Sequence, residues 1–177
     1  MSEVTTLVST GTDLSKRYGF TPKLVPQANW GGTNIKFMEA EEVAEYAEFI
    51  IRKWRNDIGS LSIGYVFKQK ASKSGDNVTL GQAKAEGDLQ RVLHKLDAVM
   101  IIGFDTWKDL TTDQKLRLVM HELEHIGMTL DGSKATTMPH LVEEFPRVVQ
   151  FFGPGNDAQV DMINAYQRFT ADMGGKK

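Results

Sequence analysis

Within VMHELEHIGM, residues 119–128, two histidines stand four positions apart and a glutamate directly follows the first. On an α-helix that spacing puts His121 and His125 on one face, about one turn apart, so that both imidazoles can reach a single ion. Neutral imidazole favours zinc, whose catalytic sites take three protein ligands and keep a fourth position for water. Glu122 then lies beside the open position and suits the role of general base, taking a proton from a water that the metal has acidified. The spelling uses two of the chain's four histidines. The chemistry that it predicts is peptide hydrolysis by metal-activated water.

The third ligand is open on spacing alone. His140, in MPHLVEEF, offers a third imidazole and is the favoured choice. Glu143 and Glu144, which follow it, offer carboxylates from a later helix, or could orient His140 from behind. Asp131 stands six residues after His125, where metzincins keep their third ligand, but that pattern wants glycine at 128 and this chain has Met128. Cysteine is absent, so thiolate ligands, disulfides and a cysteine nucleophile are excluded. His94, in QRVLHKLD, has no companion at ligand spacing and is expected at the surface, as is the Glu124 carboxylate inside the motif. Trp30, Trp54 and Trp107 are expected to pack in or around the core.

A helix must carry the motif, and its start is spelled out. Thr111 and Gln114 fit the N-cap and N3 places of a capping box, which begins the helix at Thr112, and Gly127 is placed to end it. Before it, DAVMIIGF, 97–104, is a continuous apolar run suited to a buried strand, with a link at 105–110. LSIGYVFKQ, 61–69, alternates like a half-buried strand, in which Gly64 marks a bulge or a close approach. Residues 39–54 repeat apolar positions at helical spacing. SKSGDN, 72–77, is a turn, and NVTLGQAKAEG after it a second strand or an irregular arm. Helices are expected again from about Phe145 to Phe152 and through DAQVDMINAYQRFTADM. Residues 1–34, punctuated by Pro22, Pro26 and Gly31-Gly32, form a loop-rich arm ahead of a single domain at 35–177.

The fold class predicted is α+β, with a small mixed or antiparallel sheet on helices and the motif helix crossing beneath the 97–104 strand. The chain has 177 residues, 41% hydrophobic and 25% charged, with a net charge of -2. That composition suits a folded soluble domain and lacks the positive field that draws proteins to nucleic acid. The lysines of KQKASK, 68–73, are an ordinary solvated surface. No stretch approaches a membrane-spanning run and the start is unlike a signal peptide, so a cytoplasmic setting is expected.

The strand DAVMIIGFDTW, the helix LRLVMHELEHIGM and the segment PHLVEEFPRVVQFFG together resemble the putative phage metallopeptidase family, over roughly residues 40–153. The layout is also similar to the SprT and ImmA group of minimal metalloproteases. The resemblance implies a zincin-like domain with one zinc ion, His121, His125 and His140 as ligands and Glu122 as catalytic residue. The SprT and ImmA likeness also implies a sheet edge that holds an extended peptide, but the resemblance gives no substrate; a peptide or protein, of the host or the phage, is the expected partner, in the host-cell cytoplasm. A rival function is a phage accessory or interaction protein that keeps the fold and uses the metal structurally. Action near DNA is a weaker rival, disfavoured by the acidic balance.

Overall fold

A computed structural model of the chain describes residues 14–24, 30, 36–74, 77–139 and 148. The chain divides into two compact units, Pro22–Phe145 and a second made of Met1–Thr21 with Pro146–Lys177. In the second unit the described part is a short helix, α1 (Leu14–Tyr18), inside the stretch expected to be loop, together with a helical, buried Val148. The helices expected from about Phe145 and from 157 otherwise lie outside the described residues, as do His140, Glu143 and Glu144.

The larger unit is α+β. Its four-stranded sheet has the order β1 (Phe37–Glu39), β2 (Ile63–Lys68), β6 (Ala98–Gly103), β5 (Gly81–Ala85). The sheet is mixed: β2 and β6 run parallel, with Phe67 beside Ile102, while β1 and β5 join antiparallel at the two edges. Between β2 and β5 the chain forms a hairpin of β3 (Ser72–Ser74) and β4 (Asn77–Thr79). Thus the stretch expected to be one strand or an irregular arm is two strands broken at Leu80. Gly64 is a close approach, because a Cβ there would meet Leu96 Cδ1 at 2.7 Å.

The continuous apolar run of β6 is explained by its central place, which leaves Ala98, Met100 and Ile102 without exposure. Helix α2 (Glu41–Trp54) opens on Glu41 and Glu42 and closes on Arg52 and Lys53, charges that suit the helix dipole. It buries Val43, Tyr46, Ala47 and Ile50. A short helix, α4 (Phe104–Trp107), follows β6 directly and seats Trp107 at the centre of an aromatic group. The Trp107 ring lies 5.4 Å from Tyr46 and 5.9 Å from Phe67, edge-on to the first and tilted to the second. Trp30 meets Phe104 edge-on at 5.2 Å, as packing at the core's margin.

A buried polar group joins three helices here. Glu42 accepts from Trp107 Nε1 at 2.8 Å and from Lys115 Nζ at 3.0 Å, and the ammonium also stands 4.9 Å from the centre of the Trp107 ring. Lys115 belongs to α5 (Thr112–Glu124), whose N-terminus carries the expected capping box of Thr111 and Gln114. Leu116, Val119, Met120 and Leu123 on α5 are fully buried. Each such side chain contributes about 1.5–3 kcal/mol relative to exposure.

The C-terminal end differs from expectation. α5 stops at Glu124, with His125 as C-cap, and Gly127 is no terminator. It lies in β7 (Ile126–Met128), which pairs antiparallel with β8 (Ala135–Thr137), and a Cβ on it would meet Met138 Cγ at 2.9 Å. The helix therefore turns straight into a hairpin, whose tip is the expected Asp131-Gly132 turn. A further element absent from the sequence reading is α3 (Asp88–His94). It buries none of its residues and exposes Leu89, Val92 and Leu93, so it lacks the apolar contrast that would mark it. His94 is exposed at its end, as expected.

Candidate metal centre

Helix α5 packs on α2 and meets the sheet at its edge strand β5, one strand further out than the 97–104 run beneath which it was expected. Between α5 and β5 lies a cleft of about 870 Å³, walled by Leu80, Gly81 and Ala83 on the strand side and by Leu118, His121, Glu122 and His125 on the helix side. Both histidines are half-buried and face it, whereas Glu122 is only 4% exposed.

The two imidazole centroids are 5.3 Å apart with their planes at 75°. Two imidazoles bound to one tetrahedral zinc at about 2.0–2.1 Å put their ring centres about 5 Å apart, a separation like that of the observed pair. The second ring is also oriented. His125 Nδ1 lies 2.8 Å from the Met138 carbonyl oxygen, which can only accept, so Nδ1 is the donor there and Nε2 is the nitrogen left for a ligand bond. Met138 is itself tied down, its N–H donating to the His125 carbonyl at 2.7 Å.

Among the described residues no set of three metal-binding side chains is assembled. Of the expected third ligands, His140, Glu143 and Glu144 lie outside those residues. Asp131 is exposed at the tip of the β7–β8 hairpin. There its Oδ1 accepts from the Thr129 hydroxyl at 2.6 Å and from the Ser133 hydroxyl and N–H at 2.8 and 3.1 Å. Those bonds hold its carboxyl down at about 2. Its carboxylate organises the turn.

Three contributors were not legible in the sequence. Gly81 is the first: a Cβ there would fall 2.6 Å from Glu122 Oε1, so glycine lets the strand lie against that carboxylate without displacing it. Its place in a run of alternating strand residues was the available signal. The Met138 carbonyl is the second, and a main-chain group has no signature in sequence. The third is Arg55, buried at the C-cap of α2, which carried none of the periodicity that marks a core residue. It corrects the expectation for Glu124, whose Oε1 accepts from Arg55 Nη1 at 3.2 Å and whose side chain is 15% exposed.

With this geometry in view, the comparison with known families is decisive for kinship. The profile of the putative phage metallopeptidase family matches residues 35–169, well over half of the chain. The chain belongs to that family. No curated protein and no solved structure matches it. No helix among the described residues is long and apolar enough to cross a membrane.

Proposed function

We propose that this family member is a zinc-dependent peptidase of zincin-like architecture, phage or prophage encoded and acting on a host or phage protein in the host cytoplasm. The observation that carries the reading is the His121–His125 pair, with ring centres 5.3 Å apart, lining one cleft together with the buried Glu122.

His121 and His125 would supply two nitrogens, and His140 the third. Chain connectivity favours His140 over its neighbours. It is two residues beyond Met138, which is bonded on both sides to His125, and two residues span at most about 7 Å. Glu143 and Glu144 are five and six residues beyond the same anchor. Zinc held there supplies Lewis acidity, drawing the pKa of water toward neutrality and polarising a peptide carbonyl. Glu122 takes the proton of the attacking water and delivers it to the amine that leaves when the C–N bond breaks. Its burial keeps competing solvent from the carboxylate.

The sheet edge supports an extended substrate. Leu80 O and Glu86 N face inward, bonding to Gly103 N and Asp97 O, while Ala85 N points outward to Thr137 Oγ1 at 2.9 Å. Strand alternation then directs the N–H and C=O of Gly81 and Ala83 outward as well, into the cleft, where a peptide backbone can add as a further strand. The family match begins at residue 35, which supports treating 1–34 as an arm on a peptidase domain at 35–177.

The Glu122→Gln variant tests the reading. It should keep zinc stoichiometrically and lose peptide hydrolysis by a factor of about 100 or more. Biological activity that survives this change would favour a binding protein with a structural ion.

A further inference from the structure

We infer that Arg55 is a positioning residue for the metal site, fixing the backbone on which His125 rides. The inference rests on the metal-site reading above and adds a residue on a different helix to it.

His125 sits where helical order ends. Its N–H reaches back three residues to Glu122 O, at 3.2 Å, and the chain turns into β7 directly after it. A ligand at such a place lacks the α-helical ladder that holds His121, and its aim depends on what holds the turn. Two sets of contacts do so. On the cleft side Met138 bonds to both the ring and the carbonyl of His125.

On the opposite side Arg55 donates from Nη1 to Leu123 O at 2.6 Å and from Nη2 to Ile126 O at 2.7 Å, the carbonyls two residues before His125 and one after it. The same guanidinium draws in Glu124 Oε1 at 3.2 Å, the side chain next to His125 in sequence. Asp57 fixes its remaining edge, through Nε at 3.0 Å and Nη2 at 2.9 Å. The Arg55 N–H meanwhile caps α2 through the Ile50 and Ile51 carbonyls, at 3.3 and 3.1 Å. The carbonyl ends of two helices, each carrying partial negative charge, thus meet one buried cation. The planar fork matters: it spans two carbonyls at once, which a single ammonium does not.

Residues that orient a metal ligand from behind typically change metal affinity by about 10–100-fold when altered. The test is titration of the metal-free full-length protein with cobalt(II) ions, followed by the d–d absorption of the bound ion. Arg55→Lys keeps the charge and loses the fork, and should bind cobalt about 10-fold or more weakly, with a shifted absorption band. A role confined to stability would lower the melting temperature and leave the affinity and spectrum of the folded protein as in the wild type. That result overturns the inference while leaving the metal site standing. Should Arg55→Lys fail to fold, Arg55→Gln carries the question, since its neutral amide leaves no buried charge and cannot bridge the Leu123 and Ile126 carbonyls as the guanidinium does. It should weaken cobalt binding about threefold or more, and unchanged affinity there would equally overturn the inference. A wild-type protein that takes up no cobalt would bring down the metal-site reading, and this inference with it.

Discussion

Gly81 and Glu122 are packed so closely that a side chain at 81 would have to displace its neighbours: a Cβ would lie 2.6 Å from Glu122 Oε1 and 2.8 Å from Ile102 Cδ1. The edge strand and the acid that it covers are fitted to each other. Gly81→Ala is therefore expected to push the carboxylate or the strand aside, at about 1–3 kcal/mol in stability. Zinc content should stay at the wild-type level while peptide hydrolysis falls about 10-fold or more, because a small misplacement of a reacting group is costly. Parallel assays of metal content and peptide turnover check this, and wild-type turnover in the variant would refute it.

Beneath the site, Glu42 joins Trp107 and Lys115, and so ties α2 to α4 and α5. Removing the carboxylate in Glu42→Ala leaves a buried ammonium and a buried indole N–H to find new acceptors. We expect a loss of about 3–5 kcal/mol, the range for breaking one side of a buried ion pair. Urea denaturation measures it, and a loss below about 1 kcal/mol would mean that the pair behaves like an exposed one.

Tyr46 supplies a pH signature of the same core. Burial, chiefly, pushes its hydroxyl up to about 12, offset in part by a hydrogen bond with Thr112 on α5 and reinforced by the charges of Glu42, Glu45 and Asp113. The folded value lies above the unfolded value of 10.0, so the contribution to stability is complete below pH 10 and is lost as pH rises toward about 12. A shift of this size corresponds to about 3 kcal/mol. Tyr46→Phe should flatten the fall in stability between those pH values, at about 1 kcal/mol lost near neutrality with the hydrogen bond. Thermal unfolding scanned from pH 8 upward provides the comparison.

What could be read from the sequence followed from local physics. The Thr111–Gln114 box, the helical period of α2 and the continuous apolar run of β6 are each set by neighbours within a few residues, and each element lies where that pattern put it. His121 and His125 belong to the same class, since one turn of backbone at the end of α5 brings their rings together. The misreadings arose where distant groups decide. Gly127 has the look of a helix stop, yet the helix ends earlier because Arg55 collects the Leu123 and Ile126 carbonyls and the chain pairs with β8. Glu124 looks like a solvent-facing position until a guanidinium from 69 residues away reaches it. α3 escaped notice because its apolar residues point outward, so no buried face organises its pattern.

The central claim is that His121 and His125 hold one ion together with a third ligand from the segment after Met138. Zinc content after equilibrium dialysis tests it most directly, on wild type beside His121→Ala and His140→Ala. The account predicts one zinc per wild-type chain and less than about a tenth of that in either variant, since a lost ligand weakens a site of this kind severely. Zinc absent from the wild type, or retained in full by His121→Ala, would contradict it.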